Sequence, residues 1–154
     1  MRARGVAALV LIGVLAGGCA PAGPRNSAGQ VTRAATTDAF AVKVGDCTGP
    51  ITNGSVDKLS LVPCDQEHAW EAYARTELAG EGYPGASSVQ DKAESFCAAE
   101  FATFLGIAPG KSKYRATYLQ PTRQTWEQAG DREILCLAGL ASGGIKGSLR
   151  AVRK

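Results

Sequence analysis

Hydrophobic residues alternate with polar ones in several short segments, which is the pattern of β-strands with one buried face. The pattern predicts strands at residues 40–44, 59–62, 68–78, 114–118 and 132–140. The third segment also contains helix-forming Ala and Glu, but its apolar residues recur with a period of two, which favours a strand. The chain is therefore expected to be rich in short strands.

One long helix is predicted after these first strands. Ser87 is positioned to cap its first turn, with Gln90 at the capping-box position. Five apolar residues then fall on one helical stripe: Ala93, Cys97, Phe101, Phe104 and Leu105. Gly106 suits the end of the helix, and a second, short helical turn is expected at residues 122–128. Together these elements predict a small single α+β domain, with an antiparallel sheet packed on one main helix.

The first residues have the pattern of an export signal, with two arginines followed by an apolar run at residues 6–16. This run is too short to span a bilayer as a helix. Residues 15–19, Leu-Ala-Gly-Gly-Cys, resemble a bacterial lipobox, in which small residues precede a lipidated cysteine. We therefore predict a lipoprotein signal peptide at residues 1–18 and a lipid such as palmitate on Cys19. The alternative is a plain secretory signal.

The composition changes after the lipobox. Residues 19–37 are rich in Pro, Gly, Ser, Thr and Ala and have no regular apolar pattern, which predicts a lipidated N-terminus and a flexible tether. Residues 38–154 are expected to form the extracytoplasmic domain. A lipid anchor would place this domain at the outer face of the cell membrane.

Four cysteines lie in the predicted domain, and an even number in an exported chain indicates two disulfides. Three pairings are possible. We favour Cys47–Cys64 and Cys97–Cys136, because each pair joins neighbouring predicted elements. From loop-closure entropy the two bonds would contribute about 3 and about 4 kcal/mol to stability, respectively.

A series of short motifs runs through the domain in a fixed order. It comprises Val44-Gly45-Asp46-Cys47, Val62-Pro63-Cys64 followed by His68 and Glu71, Tyr83-Pro84-Gly85, Cys97 with Phe101 and Phe104, Pro121, Trp126, Gly130-Asp131-Arg132, Cys136 and Gly147-Ser148-Leu149. The series resembles the septum-formation domain family of exported or membrane-attached proteins, which is typical of actinobacteria. The resemblance implies an extracytoplasmic, disulfide-linked α+β domain with a part in cell division, and it carries over no catalytic residues. Thr48 departs from the family pattern, in which an aromatic residue is common after the first cysteine.

The only histidine, His68, invites a catalytic or metal-binding interpretation. A cysteine nucleophile beside it is disfavoured because all four domain cysteines have expected disulfide partners. Zinc is disfavoured because the chain has no Cys-x-x-Cys unit. We expect His68 to bond a backbone carbonyl or Glu71, and we expect neither a metal nor a cofactor.

Aromatic and charged residues near the last predicted strand are the remaining candidates. Trp126 is expected mainly in the core, whereas Tyr83, on a Pro-Gly loop, is the best candidate for contact with a partner. Asp131 is interpreted as a turn-stabilising carboxylate with Arg132 as its ion-pair partner. Carboxylates around Asp131 also leave open a cell-wall hydrolase or transferase.

The charge balance bears on the partner. The chain has 17 Lys and Arg against 14 Asp and Glu, and loss of the signal arginines leaves it near neutral. Nucleic acid is therefore not an expected partner. The sequence predicts a membrane-anchored, non-enzymatic binding or scaffold module with an envelope-protein or cell-wall partner, and it predicts no oligomeric state.

Overall fold

The computed structural model describes residues 23–51 and 56–154. Within them lie six strands: β1 (Ala35–Asp38), β2 (Cys47–Thr48), β3 (Lys58–Val62), β4 (Trp70–Glu77), β5 (Arg115–Leu119) and β6 (Glu133–Gly139). There are two α-helices, α1 (Ala86–Leu105) and α2 (Arg123–Ala129), and two short 3-10 turns, Ala39–Ala41 and Pro109–Lys111. The predicted signal peptide and Cys19 lie outside the described residues.

The six strands form one curled antiparallel sheet in the order β1-β3-β2-β4-β6-β5. The long interior pair, β4 and β6, runs from Trp70 opposite Gly139 to Glu77 opposite Glu133. β1 and β5 are the edges, each paired on one side only. The predicted α+β fold, with an antiparallel sheet packed on one main helix, is confirmed.

Each face of the sheet has its own hydrophobic core. α1 covers one face, where Phe101, Phe104 and Leu105 belong to a cluster with residues of β4, β6 and the C-terminal segment. The other face is built from β3, β4 and β6, with Trp70 among its buried residues. A bulge between Ala72 and Ala74 moves the later residues of β4 to the α1 face, so the single apolar face expected for this strand is divided between two cores.

The main helix has the buried stripe that the sequence predicts, extended by Val89. Its beginning differs, because Gly85 is the N-cap and no side chain caps the first turn, so the predicted Ser87 cap is wrong. Gly106 ends the helix in the left-handed conformation, with φ 74°, as expected.

The strand predicted at residues 40–44 is wrong. Asp38 caps the turn Ala39–Ala41 by accepting a hydrogen bond from the Phe40 amide at 3.0 Å. Of the three alternating apolar residues, only Val42 is buried, while Phe40 and Val44 are 56% and 41% exposed. The alternation therefore does not correspond to a buried strand face.

The segment before this turn also differs from expectation. The sequence predicts a flexible tether within residues 19–37, yet Ala35–Asp38 pair with β3 as an edge strand. Arg25 makes two hydrogen bonds of 2.6 and 2.7 Å to the Asp46 carboxylate. Backbone pairing and this ion pair fix the segment. Neither interaction can be predicted from the apolar residues of the sequence.

Two disulfides link these elements, as expected. Cys47–Cys64 joins β2 to the turn that follows β3, with the Cα atoms 5.2 Å apart. Cys97–Cys136 joins α1 to β6, with the Cα atoms 5.5 Å apart. The second bond lies within the α1-facing core.

Candidate functional site

The structure places the six candidate residues in two separate groups. His68 and Glu71 lie at the beginning of β4, whereas Tyr83, Trp126, Asp131 and Arg132 gather near the beginning of β6. Since β4 and β6 are antiparallel, the two groups stand at opposite ends of this strand pair. His68, Asp131 and Tyr83 therefore do not converge on one cleft.

His68 has a structural position. It is 2% exposed, and its backbone exchanges hydrogen bonds of 2.9 and 3.1 Å with Ile145. Its Nδ1 lies 2.9 Å from the Gln66 carbonyl, and this contact assigns the proton to Nδ1. The predicted bond to a backbone carbonyl is present. Nε2 is buried without a hydrogen-bond partner among the described residues.

Glu71 binds the C-terminal segment. Among the described residues it forms no hydrogen bond with His68. Glu71 is 3% exposed, and its carboxylate accepts hydrogen bonds from Ser148 Oγ at 2.7 Å and from the Leu149 amide at 2.6 Å. Two donors to one buried carboxylate satisfy its need for partners. We assign Glu71 a structural role in the fold.

An aromatic cluster lies between α2 and the loop before α1. Trp126 is buried, and its indole N–H donates to the Glu81 carbonyl at 2.8 Å. The Arg132 guanidinium lies 3.7 Å from the Trp126 ring centroid, and the Tyr83 ring meets Trp126 edge-on at 5.7 Å. Trp126 is thus a core residue, as expected, and Tyr83 remains partly exposed above it.

Asp131 stabilises the turn between α2 and β6. Its carboxylate accepts hydrogen bonds from Thr125 Oγ1 at 2.9 Å and the Glu133 amide at 3.0 Å. The expected ion pair with Arg132 is not formed among the described contacts. Arg132 instead donates to backbone carbonyls, including those of Trp126 and Asp131 at 3.1 and 2.9 Å.

A groove of about 480 Å³ runs along the edge strand β5 and ends at this turn. Residues 117–120 line one part of it, and Phe40 lines another. Three carboxylates also line the groove, those of Asp57, Asp131 and Glu133, and no basic side chain does so among the described residues. The groove therefore combines an unpaired strand edge, an exposed aromatic ring and negative charge.

Two titratable groups that line the groove have raised pKa values: the Tyr118 hydroxyl, through burial and the nearby Glu94, and the Glu133 carboxyl. Burial raises the pKa of this carboxyl, and the nearby charges of Asp131 and Glu77 raise it further. Arg75 acts in the opposite direction, with its guanidinium 3.2 Å from the Glu133 carboxylate. The net effect favours the protonated form of Glu133 more than in an exposed glutamate.

Sequence reasoning missed the groove, although it noted the carboxylates around Asp131. Asp131 and Glu133 are two apart at the start of a strand, a spacing that puts both side chains on one face. That spacing could have singled out Glu133. Phe40 and β5 line the same groove because of the way the sheet curls, and no local pattern in the sequence predicts this.

Two further features of the described residues bear on metal binding and on membranes. Residues 23–51 and 56–154 contain no group of three or more His, Cys, Asp or Glu side chains arranged to hold a metal ion. Among the same residues, no helix has the length and apolar character needed to cross a bilayer.

The chain is similar to one protein family and to two membrane proteins. The family model described as Septum formation matches residues 20–111 and, in an overlapping match, residues 44–152. Two uncharacterized membrane proteins from two strains of Mycobacterium tuberculosis are each 30% identical over 113 residues. The matches cover 67% of this chain and 24% of each relative, so the chain spans about a quarter of their length. No solved structure matches at a significant level.

Proposed function

The chain belongs to the septum-formation family, and we propose that it is a lipid-anchored, extracytoplasmic binding module that acts without catalysis in septum formation. The lipobox ending at Cys19 supports the anchor, and the two disulfides fit an oxidising compartment. The similarity to mycobacterial membrane proteins supports an envelope location.

The proposed binding role rests mainly on the groove along β5. An edge strand presents backbone N–H and C=O groups on alternate residues, and an extended peptide can pair with them as an added strand. Phe40 offers a half-exposed aromatic surface in the same groove. The three carboxylates favour a partner segment that carries Lys, Arg or another cationic group.

Phe40→Ser tests this binding role, because truncating one exposed ring changes the groove without removing a core residue. We expect capture of the envelope partner by the full chain to fall about tenfold or more. Septal enrichment of a fluorescent fusion should fall with it. Val44→Ser is the matched control, because Val44 is also exposed but does not line the groove.

Cys19→Ala is the second arm of this experiment. Without the lipid, the chain should leave the membrane fraction while keeping the groove. Equal partner capture by the Phe40 and Val44 variants, or no septal enrichment of the unchanged fusion, would refute the binding role. Membrane retention of the Cys19 variant after a high-salt wash, which removes proteins held only by charge, would refute the anchor alone.

A cell-wall hydrolase or transferase is the second candidate, favoured by the raised pKa of Glu133 beside Asp131 in the groove. A carboxyl that stays protonated more readily than an exposed glutamate suits a general acid. Incubation with peptidoglycan tests it, and turnover lost in Glu133→Gln would favour the enzyme. Glu133 is a better test position than Asp131, whose carboxylate also holds the turn.

A further inference from the structure

Four exposed basic side chains meet around the C-terminal end of α1. Arg150 lies over the Phe104 ring at 5.2 Å. The aliphatic part of Arg153 packs on Gly106, where an added Cβ would lie 3.2 Å from Arg153 Cγ. Lys111 and Lys113 flank Ser112, which faces the same segment. We call Lys111, Lys113, Arg150 and Arg153 the basic patch.

The segment that carries the two arginines is fixed in place. The Ala151 amide donates to the Phe104 carbonyl at 2.7 Å, and the Arg153 amide donates to the Leu105 carbonyl at 2.9 Å. Ser112 Oγ donates to the Lys154 carbonyl. Ala151 and Arg153 adopt φ values of 56° and 51°, which cost non-glycine residues about 1 kcal/mol or more each. The contacts therefore hold a backbone that a free tail would not keep.

The charges of the patch are not neutralised within the fold. None of its four side chains forms an ion pair with an acidic residue in the described parts of the chain. None of the four residues lines the groove along β5 or a second groove, of about 410 Å³, beside Cys64. Exposed cations spread over a surface outside these two grooves suit an extended negative surface better than a small anionic ligand.

We propose that the basic patch binds the anionic phospholipid headgroups of the membrane. Each Lys or Arg near an anionic bilayer adds favourable energy, and the effect falls off within a Debye length. A lipid chain and a basic surface together hold a protein more firmly than either does alone. The patch thus adds a second, electrostatic contact to the proposed anchor, although its chemistry does not require that anchor.

Contacts also connect the patch with the beginning of the described chain. Arg25 pairs with Asp46, which precedes the Cys47–Cys64 disulfide, and the Cys64 carbonyl accepts from the Gly147 amide at 2.7 Å. Arg150 follows three residues after Gly147. The N-terminal side of the domain and the patch are therefore joined through a short series of contacts.

The acidic groove stands at the other end of the long strand pair. Glu71 holds Leu149, beside Arg150, whereas Glu133 pairs with Glu77 six residues further along β4. Six residues of strand span about 20 Å. An anionic membrane that attracts the basic patch repels the carboxylates of the groove. Binding through the patch would therefore leave the groove directed away from the lipid.

Lysine acylation of the full chain reconstituted in nanodiscs tests this inference. A neutral acylating reagent modifies exposed amines, and headgroup contact slows the reaction. In nanodiscs containing phosphatidylglycerol, we expect Lys111 and Lys113 to react about fivefold more slowly than in phosphatidylcholine nanodiscs. Lys58 and Lys92, exposed elsewhere on the domain, are internal controls whose rates should stay unchanged.

Salt and charge reversal complete the experiment. High salt should abolish the difference at Lys113, and Lys111→Glu combined with Arg150→Glu should reduce it. The comparison between lipids uses the unchanged protein, so it decides the question even where the double variant folds poorly. Equal rates at Lys113 in both lipids, or equal slowing at Lys58 and Lys92, would overturn the proposal. Neither result depends on Phe40 or on partner capture.

Discussion

At the scale of single residues, Glu133 links the groove to stability. Burial is the largest cause of its raised pKa, with Asp131 and Glu77 adding repulsion. Because the folded state binds the proton more tightly than the unfolded chain does, Glu133 favours folding below its unfolded pKa. That contribution is lost as the pH rises through its folded pKa. At neutral pH the ionised carboxylate is a cost to the fold.

Glu133→Gln should therefore increase the free energy of unfolding at pH 7, and the gain should shrink towards pH 4 and below. Glutamine keeps the shape and removes the charge that burial and two carboxylates oppose. Thermal unfolding across this pH range measures the effect. Glu67→Gln, at an exposed position, is the matched control. A Glu133 variant that is less stable at pH 7 would mean that the Arg75 ion pair outweighs desolvation.

Residue roles were predicted well where the environment is local. The backbone bond of His68, the core position of Trp126 and the turn role of Asp131 all depend on neighbours within a few residues or on bulk. The partner of Glu71 was missed, because Ser148 is 77 positions away in the sequence. Such a contact depends on how the C-terminal segment returns to β4.

At the scale of elements, the N-terminal segment shows what composition leaves out. Residues 23–38 bury little apolar surface, and their composition is that of a linker. The segment is nevertheless fixed, because β1 completes the sheet edge and Arg25 reaches a carboxylate that is 4% exposed. The Asp46 hydrogen bond raises the pKa of Arg25 above its already high ordinary value, so the guanidinium remains charged at all physiological pH values.

Arg25→Ala should destabilise the domain by about 1–3 kcal/mol, because it leaves Asp46 buried with one donor, the Lys43 amide. Urea unfolding measures the loss, and limited proteolysis between residues 23 and 35 should become faster. Arg33→Ala removes an equal charge from an exposed position and should change neither result. If Arg25→Ala and Arg33→Ala behave alike, the segment is a tether in solution.

Strands and helices were predicted where periodicity and burial agree. β3, β5, β6 and the stripe of α1 follow their patterns, whereas residues 40–44 alternate although only Val42 among their three alternating apolar residues is buried. The bulge in β4 likewise divides one predicted face between two cores. Curl, bulge and edge pairing arise from contacts between distant segments, so a window of a few residues does not contain them.

At the scale of the whole molecule, the two disulfides differ in how well the fold protects them. Cys97 and Cys136 are 1% and 0% exposed and lie inside the α1-facing core. Cys64 is only partly buried and lines the second groove, which has a volume of about 410 Å³. A reductant can therefore reach the Cys47–Cys64 bond without unfolding the domain, whereas Cys97–Cys136 requires opening of the core.

Mild reduction should thus break Cys47–Cys64 first and leave the circular dichroism spectrum of a folded protein. Loss of this bond should cost about 3 kcal/mol, and the longer 97–136 loop makes the second bond worth about 4 kcal/mol. A domain of this size is stable by about 5–15 kcal/mol, so the first loss is tolerated and the second approaches the limit. Alkylation and mass spectrometry give the order of reduction, and Cys47→Ala combined with Cys64→Ala should reproduce the first product. Simultaneous reduction of both bonds would contradict this order. It would show that the core opens to the reductant as readily as the groove does.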